Sequence, residues 1–251
     1  MNMLKPRPQV APEVLHEPVA PIVPDDVRIY AVGDVHGRLD LLTTLQAAID
    51  EDMEAHPGPA CMEIYLGDYV DRGAHSAGVL DTLMERANHR RVVCLSGNHE
   101  AVMLDAMASQ EAFSHWLRMG GLETVFSYLP AAPGIEEAQL WLDWRSAVPQ
   151  EHVAFLRRLS TNYVCGNYLF VHAGLRPGIP LEAQRREDML WIRREFLDCP
   201  DWFGHCVVHG HTPMRDAEVL GNRINIDTGA YATGHLTCLV LEGADRFLIA
   251  T

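Results

Sequence analysis

The sequence lacks the features that would place a chain in a membrane or in an oxidising compartment. Its 251 residues contain no apolar run close to the ~18 residues that a membrane helix needs, and the N-terminal segment lacks the basic-then-apolar order of a secretory signal. No C-x-x-C pair occurs among the six cysteines, several of which lie in apolar, strand-like runs, as core thiols do. These absences predict a cytoplasmic protein without membrane contact.

Positive charge is also scarce. Only 20 lysines and arginines stand against 34 aspartates and glutamates, which gives a formal net charge of −14. Proteins that bind a phosphate backbone usually carry a basic face, so this balance argues against a nucleic-acid partner. Bound cations would offset part of the acidity.

The pattern of predicted elements divides the chain into an arm and one domain. Residues 1–26 contain six prolines and few aromatics, a composition typical of an extended, poorly packed arm. Residues 27–251 are predicted to form one domain, in which strand-like runs first alternate with helical patterns, as in an α/β fold with parallel strands. Residues 101–159 show consecutive helical patterns, which we interpret as an insertion that shapes access to the site; its tryptophans are expected in the core. The short strands after residue 163 predict an antiparallel meander and a mixed sheet.

Five apolar runs end in a short polar loop that contains a glycine. Glycine lets the backbone turn sharply and approach whatever the neighbouring side chains bind, and the loops after parallel strands emerge at one edge of a sheet. A single aspartate or histidine in such a place is usually a cap or a solvated residue, but six at successive strand ends favour a metal site. The six are Asp34, His36, Asp68, Asn98, His172 and His211.

The donor atoms of this set indicate which ions it suits. Carboxylate, amide and imidazole ligands fit a borderline divalent ion such as Mn or Fe(II) better than a thiolate-seeking ion, and six ligands that share one carboxylate suffice for two ions. Two ions about 3.5–4 Å apart can bridge a water and stabilise the oxygens that enter and leave phosphorus. A separate group matches no structural zinc spacing; it comprises Cys199, His205, Cys206 and His209.

Three segments resemble the signature motifs of a known family. Residues 33–37 (GDVHG), 67–73 (GDYVDRG) and 97–100 (GNHE) are similar to those of the metallophosphoesterases, in the form used by the bacterial and phage PPP-type serine/threonine protein phosphatases. The resemblance implies a calcineurin-like sandwich of two mixed sheets flanked by helices. It continues through residues 172–174, 210–213 and 226–230.

The resemblance also assigns the six residues to two ions. The expected ions are Mn, with Fe or Zn as alternatives, and the resemblance implies a bridging position for Asp68. One ion would be held by Asp34 and His36, and the other by Asn98, His172 and His211.

Four further residues acquire a catalytic role from the resemblance. His99 would be the general acid, because a serine alkoxide is too basic to leave unaided, and Asp71 would orient it. Arg72 would clamp phosphate oxygens through its planar fork, and Arg193 would be a second phosphate-binding arginine. Three further residues have two possible roles each. His209, Glu100 and Asp227 could orient these groups, or they could be a packed imidazole, a helix-start carboxylate and a turn residue, respectively.

We therefore predict a metal-dependent phosphomonoester hydrolase. The main hypothesis is a serine/threonine protein phosphatase acting on a phosphoprotein or phosphopeptide, by in-line attack of a hydroxide held between two metals and without a phosphoenzyme. The alternative is a symmetrical dinucleoside tetraphosphate hydrolase, against which Asp71 counts because many of those relatives carry another residue there. A non-catalytic metal-binding scaffold is more remote, since the ligand set is complete and both His99 and Arg72 are present.

Overall fold

The computed structural model describes residues 20–130, 134 and 136–251. Among these residues, no helix has the length and apolar content that crossing a bilayer requires. The strands are β1 Val27–Val32, β2 Ala60–Tyr65, β3 Val92–Cys94, β4 Asn162–Cys165, β5 Tyr168–Val171, β6 Cys206–His209, β7 Glu218–Val219, β8 Arg223–Asn225, β9 Thr237–Glu242 and β10 Asp245–Ala250. The helices are α1 Leu39–Ala55, α2 Ser76–His89, α3 Asn98–Ala108, α4 Gln110–Trp116, α5 Leu122–Tyr128, α6 Glu137–Ala147, α7 Gln150–Arg158, α8 Arg186–Trp191, α9 Arg194–Leu197 and α10 Ala230–Thr233, with a π-helical turn at Leu117–Gly121 and a 3₁₀ turn at Leu181–Ala183.

The strands form two five-stranded mixed sheets. In the first, ordered β10-β9-β1-β2-β3, strands β1 to β3 are parallel, and β9 and β10 form an antiparallel hairpin beside β1. In the second, ordered β4-β5-β6-β8-β7, strands β5, β6 and β8 are parallel and the edge strands are antiparallel to their neighbours. The expected antiparallel meander is therefore wrong for β5, β6 and β8. The chain crosses over between β5 and β6 through α8 and α9, and such a crossover returns it in the parallel sense.

The two sheets pack face to face, and helices cover both outer faces. Along β1, Ile29 and Ala31 point into the core between the sheets, whereas Tyr30 and Val32 point toward the helices, as the period of two in a doubly buried strand requires. Helices α1 to α7 share one apolar cluster with the outer face of the first sheet, and α8 and α9 cover the second. The expected α/β sandwich of two mixed sheets flanked by helices is confirmed.

Residues that precede β1 also contact the sandwich. Val23 is fully buried in the core between the sheets, and its amide donates to the carbonyl oxygen of Gly243 at 3.0 Å. The carbonyl oxygen of Ile22 accepts from the amide of Asn167 at 2.9 Å. Most of the predicted arm, residues 1–19, lies outside the described residues.

Helices α3 to α7 lie between β3 and β4, in the range where a helical insertion is predicted. Residues 131–133 and 135 of that range lie outside the described residues. Trp116 and Trp144 are fully buried there, with ring centroids 4.7 Å apart. The π-helical turn joins α4 to α5 at a kink where Gly120 has a φ of 102°, a conformation that glycine adopts without steric cost.

A buried ion pair connects the first sheet to α1 and α2. Glu63 on β2 is fully buried, and its carboxylate accepts from Arg86 at 2.7 Å and from the hydroxyl of Tyr65 at 2.6 Å. The same guanidinium donates to Asp50 at 2.8 and 3.0 Å. A buried charge is costly unless it is paired, so the fold depends on Arg86 as the partner of the Glu63 carboxylate in the core.

We predict that Arg86→Ala lowers the free energy of unfolding by about 3–5 kcal/mol, because it leaves the buried carboxylate of Glu63 without its cation. Arg90→Ala is the matched control. Arg90 binds the same Asp50 carboxylate at 2.8 Å, but its side chain is 43% exposed, so its loss should change the free energy by less than about 1 kcal/mol. Urea denaturation followed by circular dichroism measures both, and equal losses would contradict this explanation.

Candidate metal centre

The polar loops of both sheets meet at the carboxyl ends of the parallel strands. Loops after β1, β2 and β3 supply four of the six expected metal ligands, and loops after β5 and β6 supply the other two. Parallel strands deliver such loops to one edge of a sheet, and here the edges of two sheets converge. All six side chains are buried: Asp34, His36, Asp68, Asn98, His172 and His211.

Asp68 lies at the centre of this group. Its Oδ2 atom is 3.5 Å from His36 Nε2, and its Oδ1 atom is 3.4 Å from His172 Nε2. Two sets of three side chains come close enough to hold an ion, His36–Asp68–His99 and Asp68–His172–His211. We call them the His36 set and the His211 set. One carboxylate shared by two donor sets is the arrangement that a binuclear centre needs.

Asn98 adjoins the side chains of the His211 set, whereas Asp34 contacts only the backbone of His211. Asn98 Oδ1 is 3.0 Å from His172 Nε2, which is 3.2 Å from His211 Nδ1. Asp34 Oδ2 accepts from the backbone amide of His211 at 3.0 Å. The other oxygen, Oδ1, is buried and has no hydrogen-bond partner among the described residues. Gly210 lies directly against it, and a Cβ atom there would overlap this oxygen.

The backbone is strained where these side chains leave it. Left-handed φ values are rare outside glycine and cost of order 1–3 kcal/mol each unless the surroundings compensate. In the described part of the chain, the only non-glycine residues with positive φ belong to the predicted site. They are His36, Asp68, Asp71, Arg72 and His211, with φ between 47° and 74°.

The carboxylate of Glu100 holds the Asp68 loop in this conformation. It accepts from the backbone amides of Asp68 at 2.8 Å, Tyr69 at 2.7 Å and Gly97 at 2.8 Å. Burial raises the pKa of Glu100 to about 7, and the Asp68 carboxylate adds to the rise. The sequence left Glu100 open between a helix-start residue and a residue that orients the site. The contacts support both roles, because Gly97 immediately precedes α3 and the other two amides belong to the Asp68 loop.

Burial and repulsion between carboxylates set the charge of the cluster. Burial raises the pKa of Asp34 well above its ordinary value, and the neighbouring Asp227 and Asp68 carboxylates raise it further. For Asp68, burial acts in the same direction, but the charge that His172 and the imidazoles around it carry at low pH outweighs burial and holds the pKa below its ordinary value. Crowded acidic groups of this kind are what a divalent cation relieves.

The imidazoles are in the form that binds metal. Burial lowers the pKa of His36 to about 3 and that of His211 to about 2, and it also lowers that of His172, so all three rings are neutral, as a metal ligand must be. His36 Nδ1 donates to the carbonyl oxygen of Val70 at 2.9 Å and His172 Nδ1 donates to that of Leu66 at 3.1 Å, which leaves each Nε2 lone pair for an ion. Neutral imidazoles, crowded carboxylates and an unpartnered carboxylate oxygen together fit divalent cations.

A second set of hydrogen bonds orients His99. Its Nδ1 is 2.7 Å from Asp71 Oδ2, and the Asp71 carboxylate also accepts from Trp116 Nε1 at 2.8 Å and Thr124 Oγ1 at 2.7 Å. Burial would lower the pKa of His99, but the Asp68 and Asp71 carboxylates outweigh burial and raise it. From the sequence we expected Trp116 in the core and did not identify Trp116 or Thr124 as a partner of Asp71. The sequence signal for Trp116 was that a buried indole N–H needs a hydrogen-bond acceptor.

One arginine lies at each donor set. Arg72 Nη1 is 2.9 Å from His36 Nε2, and its Nη2 is 3.1 Å from His99 Nε2. Arg193 donates from Nε to His211 Nε2 at 3.1 Å. The two arginines predicted to bind phosphate therefore both reach the cluster, at different donor sets.

His209 and Asp227, which lie beside the cluster, differ in what they contact. His209 packs edge-on against Phe196, with ring centroids 5.0 Å apart, and its Nδ1 is 3.1 Å from the carbonyl oxygen of Gly210; these contacts favour the packed imidazole over support for a ligand. Asp227 is buried, and its carboxylate raises the pKa of Asp34. Neither donor set found in the described residues contains a cysteine.

The chain is similar to several known proteins. A family model described as calcineurin-like phosphoesterase matches residues 27–238. The bis(5′-nucleosyl)-tetraphosphatase PrpE (asymmetrical) of Anoxybacillus flavithermus is 25% identical, over 83% of this chain and 88% of its own. The protein of the same name from Bacillus cereus strain AH820 is 24% identical over the same shares.

Two solved structures show the same fold. A protein assigned as a diadenosine tetraphosphatase superposes with a TM-score of 0.64 at 20% identity, over 92% of this chain and 98% of its own. A cold-active protein tyrosine phosphatase superposes with a TM-score of 0.57 at 19% identity, over 91% and 81%. At these identities the likeness concerns the fold alone.

The curated relatives contradict one prediction from the sequence. A phosphoprotein or phosphopeptide partner was expected from the PPP-like motifs, but the curated relatives are named for bis(5′-nucleosyl) tetraphosphates, which are small nucleotides. The prediction of a phosphoprotein partner is therefore wrong. The motifs specify the metal-site residues, which do not by themselves select the molecule that carries the phosphate.

We predict that the protein binds about two divalent ions per chain and that Asp68→Asn weakens both positions, because both donor sets share Asp68. His172→Ala is the control, since His172 belongs only to the His211 set, and it should retain about one ion. Elemental analysis after Mn loading and gel filtration counts the ions. An Asp68→Asn protein that keeps a full complement would overturn the shared-carboxylate arrangement.

Proposed function

We propose that this chain, which belongs to the calcineurin-like phosphoesterase family, is a metal-dependent hydrolase of dinucleoside tetraphosphates. The observation that carries the proposal is the buried cluster around Asp68 with one arginine at each donor set, because such an array suits a substrate with several adjacent phosphates. The names of the curated relatives, which align with 83% of this chain, support the same substrate class.

Divalent ions would supply an activated water and would offset the charge that develops on the phosphoryl oxygens. We propose Mn, because carboxylate, amide and imidazole donors suit it. Asp68 would bridge two ions, with Asp34 and His36 at one position and Asn98, His172 and His211 at the other.

The chain's own residues would hold the phosphates and deliver one proton. Arg72 and Arg193 would each bind phosphate oxygens, because a planar guanidinium matches two of them at once. His99, fixed by Asp71 at 2.7 Å, would deliver a proton from its Nε2 atom to the leaving oxygen once Arg72, which is 3.1 Å from that atom, binds phosphate instead. The raised pKa of His99 favours its retention of that proton near neutral pH.

We propose that cleavage is asymmetrical, so that a nucleoside monophosphate and a nucleoside triphosphate are released. The names of both curated relatives specify this reaction, whereas the dinucleotide alternative drawn from the sequence was the symmetrical one. The alternative, symmetrical cleavage, releases two nucleoside diphosphates.

The proposal predicts a substrate preference. Mn-loaded protein should cleave diadenosine tetraphosphate with a kcat/KM at least about tenfold above that for a phosphoserine peptide, a difference of about 1.4 kcal/mol in transition-state binding. Anion-exchange chromatography should show AMP and ATP, and Asp68→Asn serves as the blank. Preference for the peptide would refute the proposal. Release of two ADP molecules would show that cleavage is symmetrical rather than asymmetrical.

The role of His99 predicts a dependence on the leaving group. His99→Asn should slow hydrolysis of phenyl phosphate by about 100-fold or more, because a phenolate is basic and needs a proton as it leaves. The same variant should slow p-nitrophenyl phosphate far less, since nitrophenolate leaves without help. Steady-state rates on the two esters measure the ratio. An equal loss on both would remove His99 from the proton-transfer step.

A further inference from the structure

A cavity of about 340 Å³ lies beside the metal centre, between α8 and α9 and the loop that follows β5. We call it the Trp191 cavity. Its volume lies within the range of small-molecule sites. The residues that matter below are Trp191, Arg193, Glu187 and Glu195.

The Trp191 cavity adjoins the cluster directly. Arg193 lines the cavity, and the same side chain donates to His211 Nε2 at 3.1 Å. The ring of Trp191 meets the ring of His211 edge-on, with centroids 6.1 Å apart. A molecule in the cavity would therefore lie next to any phosphate held at the His211 set.

Trp191 is exposed where tryptophan is usually buried. Its relative exposure is 41%, although it ends a helix whose preceding two residues, Met189 and Leu190, are buried. A large aromatic surface that faces solvent beside a charged site costs hydrophobic free energy unless a ligand covers it. Any nucleobase can stack on such a surface, because every base has a π-face.

The charges around the cavity do not make it a second phosphate site. Arg176 is paired with Asp188 at 2.6 Å and Arg185 with Glu187 at 2.7 Å, so each of the cavity's arginines other than Arg193 has a carboxylate partner. No ion pair engages Glu195 in the part of the chain that the structure describes. Carboxylates beside an aromatic wall suit ribose hydroxyls, which donate to acidic side chains in nucleotide sites.

We infer that the Trp191 cavity binds the nucleoside adjacent to the phosphorus that is attacked, with its base stacked on Trp191. This inference rests on the proposed dinucleoside tetraphosphate hydrolase function. Only the ribose separates a base from its α-phosphate, and the cavity wall touches the metal centre, so a base on Trp191 places the α-phosphate, rather than the β-phosphate, at the centre.

This placement determines which bond breaks. The oxygen of water forms a bond to the α-phosphorus, and the bond from that phosphorus to the α–β bridging oxygen breaks. The bridging oxygen keeps the electron pair and leaves as the terminal oxygen of the nucleoside triphosphate. One proton of the water is released, and the new oxygen remains on the nucleoside monophosphate.

The test combines binding and turnover in Trp191→Ala, with Trp202→Ala as the matched control. Trp202 is also exposed, at 43%, but does not line the cavity. For turnover, Trp191→Ala should raise KM for diadenosine tetraphosphate by about tenfold relative to its effect on KM for p-nitrophenyl phosphate, which has no base, as expected for the loss of a base–aromatic stack. Trp191→Phe should restore most of the loss, and Trp202→Ala should behave as the unchanged protein.

Binding is measured independently by titrating AMP and following tryptophan fluorescence. Quenching should occur in the unchanged protein and in Trp202→Ala, and should disappear in Trp191→Phe. Hydrolysis in ¹⁸O-labelled water should place the label in AMP rather than in ATP.

The outcomes separate this inference from the proposed function. If diadenosine tetraphosphate is cleaved but Trp191→Ala matches Trp202→Ala, or the label appears in ATP, the inference is wrong and the proposed function stands. If the dinucleotide is not cleaved while AMP still quenches Trp191, the cavity binds nucleosides and the proposed function is wrong. Absence of both quenching and cleavage overturns both.

Discussion

The burial of Asp68 between two sets of imidazoles is the constraint on which the rest of the site depends. Its carboxylate is held by backbone geometry, since Asp68 has a φ of 53° and its amide donates to Glu100 at 2.8 Å. Neither arrangement is stable alone, because a left-handed aspartate and a buried carboxylate each cost free energy. The two sheets offset this cost, because each brings imidazoles to the Asp68 carboxylate. Two glycines leave room for the carboxylates of the cluster, because a side chain on Gly97 would overlap Asp68 and one on Gly210 would overlap Asp34.

The sequence indicated which side chains gather around Asp68 better than it indicated what holds them there. Each expected ligand directly follows a strand, so its position depends on local pattern and on the parallel arrangement alone. Trp116 and Thr124 are 45 and 53 residues from Asp71 along the chain, and their contacts depend on how α4 and α5 pack, which periodicity does not determine. The same limit applies to Trp191, whose exposure depends on tertiary packing. The parallel pairing of β5 with β6 was missed because the crossover helices α8 and α9 are only six and four residues long.

Substrate class was the hardest property to predict, for a chemical reason. Asp71 counted toward a protein phosphatase, yet in the structure it orients His99, a task that serves any leaving oxygen. The residues of the motifs thus describe how phosphorus is attacked and say little about what is attached to it. The walls that would contact the rest of the substrate come from residues 176–195, outside the three motifs.

The shared carboxylate of Asp68 is tested most directly by anomalous diffraction from crystals grown with Mn and a non-hydrolysable diadenosine tetraphosphate analogue. We expect two Mn peaks that both contact this carboxylate, with a phosphate group of the analogue at the same centre. A single peak, or two peaks of which one is held without Asp68, would contradict the shared carboxylate. An analogue bound away from the cluster would contradict the proposed substrate.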